Sequence, residues 1–295
     1  MRYAIVWIVL FSTYSFTAKG TQENRIVDAG FDFTLTSDIS YVAQKFDEAT
    51  KFQTLDVYRP NDISLTPVIL YVHGGAWAFG DKKDFHVKPN YFTHNGVAFV
   101  SVNYRLRWEY KVYDQFVDLV SAIEWIQEHG AEFGLDEDKI VMMGSGAGGH
   151  LVSLVMADPS YLRAEGANGK GIRDVVSIDS TSYDIPLVMK ELGSLIERRK
   201  HEVVFTSNES IWDAASPQTH VSKNTSLPPF ALLYNPGREI TALQAKDSAK
   251  ALQGAGTVLV MVPGSVSDPP GANELVGVAG SIATVALMAF IRSQI

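Results

Sequence analysis

The sequence predicts an α/β fold, a mostly parallel central sheet with helices on both faces. Short, continuous apolar runs recur at 68–72, 97–102, 140–143, 175–178, 230–234 and 258–262, the mark of strands buried on both faces. Segments with helical apolar spacing lie between or after them, at 114–129, 150–157, 242–253 and 281–292. Strand and helix therefore alternate, as in sheets whose strands are joined by helical crossovers.

Taken in order, the chain begins with Arg2 and an apolar stretch over 4–11 that grows polar over 12–18. Ala18 and Gly20 stand at minus three and minus one of a cut before Thr21, so residues 1–20 read as a secretory signal peptide. The expectation is an exported protein whose mature part, 21–295, is a single domain. The apolar run is too short to span a bilayer, and no later stretch reaches about 18 apolar residues. Residues 53–60 alternate and end on Pro60, the pattern of an antiparallel edge strand. Residues 185–199 read as a helix closing on Glu197-Arg198-Arg199-Lys200, with cations favourable to the dipole at its C-terminus. Sequence leaves open whether 185–212 forms a lid or packs as a surface helix.

Composition narrows the function classes. The 295 residues are 46% apolar and 20% charged, enough for a sizeable core. A net charge of −8 and the lack of any basic cluster argue against a nucleic-acid partner. The absence of cysteine excludes disulfides, thiolate metal sites and a cysteine nucleophile. No HExxH or close histidine pair occurs, so neither a metal nor another cofactor is expected.

The most informative stretch is Val141-Met142-Met143-Gly144-Ser145-Gly146-Ala147-Gly148-Gly149-His150-Leu151. A strand runs into a glycine cluster and then a helix, the form of a nucleophile elbow, G-x-S-x-G. Gly144 and Gly148 are the outer glycines, so the nucleophile position is Gly146; Ser145 stands one residue early.

With this stretch, His73-Gly74-Gly75-Ala76-Trp77, Leu55-Asp56-Val57-Tyr58, Gly80-Asp81-Lys82, Val102-Asn103-Tyr104-Arg105-Leu106 and Ala215-Ser216-Pro217 fall in a consistent order. The chain thereby resembles α/β-hydrolases of the esterase group with an HGG[AG]W oxyanion motif, which includes hormone-sensitive-lipase-like and feruloyl-esterase-like proteins. The resemblance implies an α/β-hydrolase fold, with Gly74, Gly75 and Ala147 supplying backbone N–H groups to an oxyanion hole. It also implies a chain order of serine, acid, then histidine. Here the serine position is Gly146, and the acid position falls near Gly237, Arg238 and Glu239, of which only Glu239 is a carboxylate. The base position falls near Pro269, and no histidine follows His220. His73 and His150 read as hydrogen-bonded scaffold, His220 as structural, and His86, His94, His129 and His201 as surface or core positions without a chemical neighbour. Aromatic residues after strands, Trp77, Tyr104, Trp108 and Tyr183, line an acyl pocket or fill the core.

The expected function is that of an exported, catalytically vacated esterase homologue, a pseudoenzyme binding a small ester or acyl ligand or a partner. The alternative is an active carboxylic ester hydrolase, of carboxylesterase or acetyl/feruloyl esterase type, working through other residues. A structural domain with a collapsed pocket is the third possibility.

Overall fold

Residues of one parity in each buried strand must face one side of the sheet and those of the other parity the opposite side, so a continuous apolar run needs a helical layer on each face. A computed structural model describes residues 25–26, 33–43, 50–61, 64–192, 194–221, 226–264 and 271–295. The expected leader, 1–20, and the expected base position, Pro269, lie outside the described residues.

The strands are β1 (Arg25–Ile26), β2 (Phe33–Ser40), β3 (Thr54–Pro60), β4 (Thr66–Val72), β5 (Ala98–Val102), β6 (Leu135–Ser145), β7 (Ile172–Ile178), β8 (Phe230–Tyr234) and β9 (Leu259–Pro263). Among the described residues they form one nine-stranded sheet in the order β1-β2-β3-β5-β4-β6-β7-β8-β9. The pairs β1–β2, β2–β3 and β3–β5 are antiparallel, and every pair from β5 to β9 is parallel. The helices are α1 (Lys88–His94), α2 (Val112–His129), α3 (Ala147–Ala157), α4 (Ser160–Ala164), α5 (Ile185–Leu187), α6 (Leu195–Phe205), α7 (Glu209–Ala214), α8 (Pro217–Val221), α9 (Glu239–Gly254), α10 (Ala272–Leu275) and α11 (Ile282–Arg292).

Strand parity sorts the core into two layers. Leu70, Val100, Met142 and Leu232 pack with Leu119 and Ile123 of α2, Leu151 and Leu154 of α3, and Leu252 of α9. Ile69, Phe99, Val141, Val176 and Leu233 pack on the other face with Phe92 of α1 and Leu287 and Ile291 of α11. Every residue of α3 is buried, as its all-round apolar sequence requires. Each fully buried leucine there stabilises the fold by roughly 1.5–3 kcal/mol.

Two sequence expectations are corrected. The segment over 53–60 is antiparallel, but it is not an edge: β3 lies between β2 and β5, and Pro60 sits at its end, opposite Phe33. The segment over 185–199 is not one helix. Α short α5 passes into a π-turn over Val188–Leu192, and α6 then starts afresh, with Ser194 Oγ accepting from Glu197 N at 3.2 Å. Because α6 runs on to Phe205, Arg198, Arg199 and Lys200 are not at its C-terminus. The pairs Lys200–Glu197 (2.9 Å) and Arg199–Glu202 (2.8 Å), each spaced i,i+3, replace the expected dipole interaction.

Candidate active-site crevice

The carboxyl ends of β4, β6, β7 and β8 converge where chain order reverses across the sheet, β5 lying on one side of β4 and β6 on the other. Open α/β sheets bind ligands at such a point. The turn from β6 into α3 is made by Gly146, at φ 53° and ψ −113°, a backbone conformation costly for any residue with a Cβ. The turn also packs tightly: a Cβ on Gly148 would lie 2.1 Å from Val72 O and 2.6 Å from His73 O. These contacts hold the start of α3 against the end of β4. Ala147 is the first residue of α3, so its N–H has no partner within the helix.

The His73–Trp77 segment closes over this turn. Gly75 O accepts from Ala78 N and Phe79 N, at 3.1 and 2.9 Å. Gln115 of α2 donates through Nε2 to Trp77 O at 2.7 Å and to Arg105 O at 2.8 Å, and Arg107 N donates to Trp77 O at 2.8 Å. Arg105 is itself held by buried Asp118, with Nη2–Oδ1 2.7 Å and Nε–Oδ2 3.0 Å. The loop carrying the two glycines is thus held from behind by bonds to Trp77 O, and Arg105, whose carbonyl shares the Gln115 amide, is anchored in turn by a charge-assisted pair.

Gly74, Gly75, Gly146 and Ala147 line one crevice of about 240 Å³. Its remaining wall is mixed: Trp77 and Ile178 are apolar, and Asp179 and Thr181 of the loop after β7, Glu197, Lys200 and His201 of α6, and Arg238 at the start of α9 are polar. A larger hollow of about 480 Å³ beside Tyr41 and Trp125 shares no residue with it.

At the expected acid position, Arg238 reaches the crevice, while Glu239 is exposed and begins α9. Gly237 N donates to Asn235 Oδ1 at 2.8 Å. The carboxylates that line the crevice are instead Glu197 of α6 and Asp179, the latter directly after β7 at φ 52°. Its Oδ2 accepts from Arg238 Nη1 at 2.8 Å and its Oδ1 from Asn235 N at 3.1 Å. No motif marks Asp179 in the sequence, although it stands directly after the apolar run at 175–178.

The histidines separate by their partners. His150 Nδ1 accepts from Trp77 Nε1 at 3.2 Å, which leaves Nε2–H to donate to Ala215 O at 2.8 Å. Burial pushes its pKa down to about 4, so it is a neutral brace. His73 donates through Nδ1 to Gly74 O at 2.6 Å and stacks on Tyr104, and burial lowers its pKa. His201, assigned no chemical neighbour from sequence, has one: its Nε2 lies 2.8 Å from Ser182 Oγ. Nineteen residues separate the two, and no local motif marks the contact.

Ser145, one residue before the turn, also lines the crevice. Its Oγ lies 3.0 Å from Tyr71 OH. Burial pushes that phenol up to about 12, so it is a poor proton acceptor near neutrality. Of the four aromatic candidates, Trp77 lines the crevice. Tyr104 and Tyr183 are buried, with their hydroxyls on His73 O (2.9 Å) and Ser177 Oγ (2.7 Å), and Trp108 is exposed against Phe79. Among the described residues there is no group of three or more His, Asp or Glu able to hold a metal. No helix among them is long and apolar enough to cross a membrane.

The BD-FAE family model matches residues 55–235, which includes both glycine turns and α6. The chain belongs to the BD-FAE family. Relatives of this BD-FAE chain include a Mycobacterium tuberculosis protein described as probable carboxylic ester hydrolase LipM, 29% identical over 77% of this chain and 54% of that protein. Esterase LipQ of the same organism is 26% identical over 84% of this chain and 58% of that protein. The chain therefore spans little more than half the length of these relatives. Among solved structures, esterase B from Lactobacillus rhamnosis superposes with a TM-score of 0.73 at 20% identity, covering 92% of this chain and 88% of that one. This likeness shows the α/β-hydrolase fold. A thermophilic esterase from Thermogutta terrifontis, Est2, described as propionate bound, has a TM-score of 0.59 at 26% identity, covering 77% of this chain and 81% of that one.

Proposed function

We propose that the crevice around Gly146 binds a small carboxylic ester, or the acid released from one, and that the elbow chemistry of the family is absent. The observation that carries this is Gly146 itself: the sharp strand-to-helix turn is built, but no side chain stands where the attacking hydroxyl is required. Gly74, Gly75 and Ala147, the residues expected to offer backbone N–H groups to a carbonyl or carboxylate oxygen, all line the same crevice, which supports this reading. Est2, described with propionate bound, lends support to an acid as ligand. A socket that keeps only its electrostatics still accelerates acyl chemistry by about 10³–10⁴ over water, far below an ordinary esterase.

A second reading, a working carboxylic ester hydrolase using other residues, draws support from relatives described as ester hydrolases. The two are separated by an ester panel run beside thermal shift with the matching acids. Stabilisation by acetate, propionate or butyrate with only slow hydrolysis supports the first reading. Turnover at tens per second, the rate of a typical enzyme, overturns it in favour of the second. We also propose export, from the leader pattern over 1–20; recovery outside the cell of a chain beginning at Thr21 tests it.

A further inference from the structure

Ser182 lies just behind the crevice wall, where it meets the lining residue His201 in a geometry the elbow lacks. Glu197 O lies 2.8 Å from His201 Nδ1. A carbonyl only accepts, so Nδ1 carries the ring proton and Nε2 presents a lone pair. Ser182 Oγ, 2.8 Å from Nε2, is therefore the donor. This is the ground-state arrangement of a serine whose base is already oriented, with a backbone carbonyl in the place of the usual carboxylate. Burial, which lowers the pKa of His201, keeps the ring neutral and able to accept. The imidazole is fixed further by the Trp77 ring, whose centroid is 5.5 Å away with the rings at 71°. His201 and Thr181 both line the crevice beside Gly146, and Ser182 is the next residue after Thr181.

We propose that Ser182 and His201 form a displaced nucleophile–base pair that takes the acyl group from a carboxylic ester held in this crevice. The proposal rests on the reading that the crevice admits such an ester. Ser182 Oγ bonds to the ester carbonyl carbon as its proton passes to His201 Nε2, and the carbonyl oxygen takes up the negative charge. Collapse breaks the bond to the alkoxy group, which leaves as the alcohol with the proton from His201, and the acyl group remains on Ser182. A water molecule then attacks the acyl carbon, gives its proton to His201, and releases the acid as Ser182 recovers that proton. Ser182 is 1% exposed, so the loop carrying Thr181 must open before attack, and acylation is the slow step.

The pair also ties α6 to the loop after β7, and the test separates that role from chemistry. The full chain is incubated with a fluorophosphonate, and separately with p-nitrophenyl butyrate, and adducts are located by peptide mass spectrometry. The expected result is a slow adduct on Ser182, lost in Ser182→Ala and slowed at least tenfold in His201→Gln. Locating the adduct in the unaltered protein needs no variant to fold. The labelling rate should rise with pH and level off once His201 is neutral. An adduct on Ser145 or any other residue overturns the proposal. So does the absence of any adduct while butyrate still raises the melting temperature; the ester-binding reading survives that outcome. Neither adduct nor stabilisation overturns both.

Discussion

Arg238 Nη1 donates to Asp179 Oδ2 at 2.8 Å, joining the start of α9 to the end of β7 across the crevice. The guanidinium is 42% exposed, so the pair contributes less than about 1 kcal/mol to stability. Its cationic face is available to an anionic ligand. Arg238→Ala is expected to shift the melting temperature by less than about 4 °C and to weaken butyrate binding several-fold more than binding of neutral butyramide. Titration calorimetry with the two ligands checks this, and an equal loss for both contradicts it.

The elbow turn makes its own prediction. A Cβ on Gly146 has room, with Gly74 Cα as its near neighbour at 4.0 Å, so the cost of a side chain there is backbone strain at φ 53°. Gly146→Ser is expected to lose about 1–3 kcal/mol, roughly 2–10 °C in melting temperature. Because His201 Nε2 is already engaged by Ser182, the new hydroxyl gains no base and p-nitrophenyl acetate turnover stays far below that of an ordinary esterase. Robust turnover by this variant, or an unchanged melting temperature, counts against the assignment of the elbow.

Gly148 is limited by space instead. The atoms its Cβ would meet, Val72 O at 2.1 Å and His73 O at 2.6 Å, are backbone and cannot rotate away. Gly148→Ala therefore has to separate α3 from β4, at a cost of about 3 kcal/mol or more. Urea denaturation reads this directly, and a variant within 1 kcal/mol of the wild type would show that the turn is looser than described.

Asp174 on β7 is fully buried, and neither carboxylate oxygen has a hydrogen-bond partner among the described residues. Burial pushes its pKa from 3.8 to about 7. The folded state thus binds the proton more tightly than the unfolded state. The contribution of Asp174 to stability is complete below about pH 4 and is lost as pH rises through about 7. At 1.36 kcal/mol per pKa unit, the full loss is on the order of 4 kcal/mol. Asp174→Asn is expected to gain on the wild type between pH 4 and 7 and to hold that gain above 7. Denaturation curves at pH 4.5, 6 and 8 measure it, and a difference constant across that range excludes Asp174 as the source.

Much of the fold is legible along the chain because its determinants are local. Strand identity follows from apolar runs such as Val68-Ile69-Leu70-Tyr71-Val72, which need a cover on both faces wherever they sit. The elbow is legible because close packing at 144, 148 and 149 and a positive φ at 146 leave few residues besides glycine for those positions. The break before α6 was harder to see: apolar periodicity runs on through 185–199, and the capping serine, Ser194, shows only as one polar residue after Gly193.

By itself, the sequence determined the alternation of strand and helix, the glycine socket at 144–149 and 73–77, and the absence of a hydroxyl at Gly146, since each is a property of neighbouring residues. Tertiary structure decided the rest of the crevice. Asp179 and Arg238 lie 59 residues apart, and His201 and Ser182 lie 19 apart. They meet because parallel strands place the loops that follow them at one edge of the sheet, and α6 folds back over that edge. Sequence spacing carries no record of such a meeting, because crossover length, not residue type, sets which loops become neighbours.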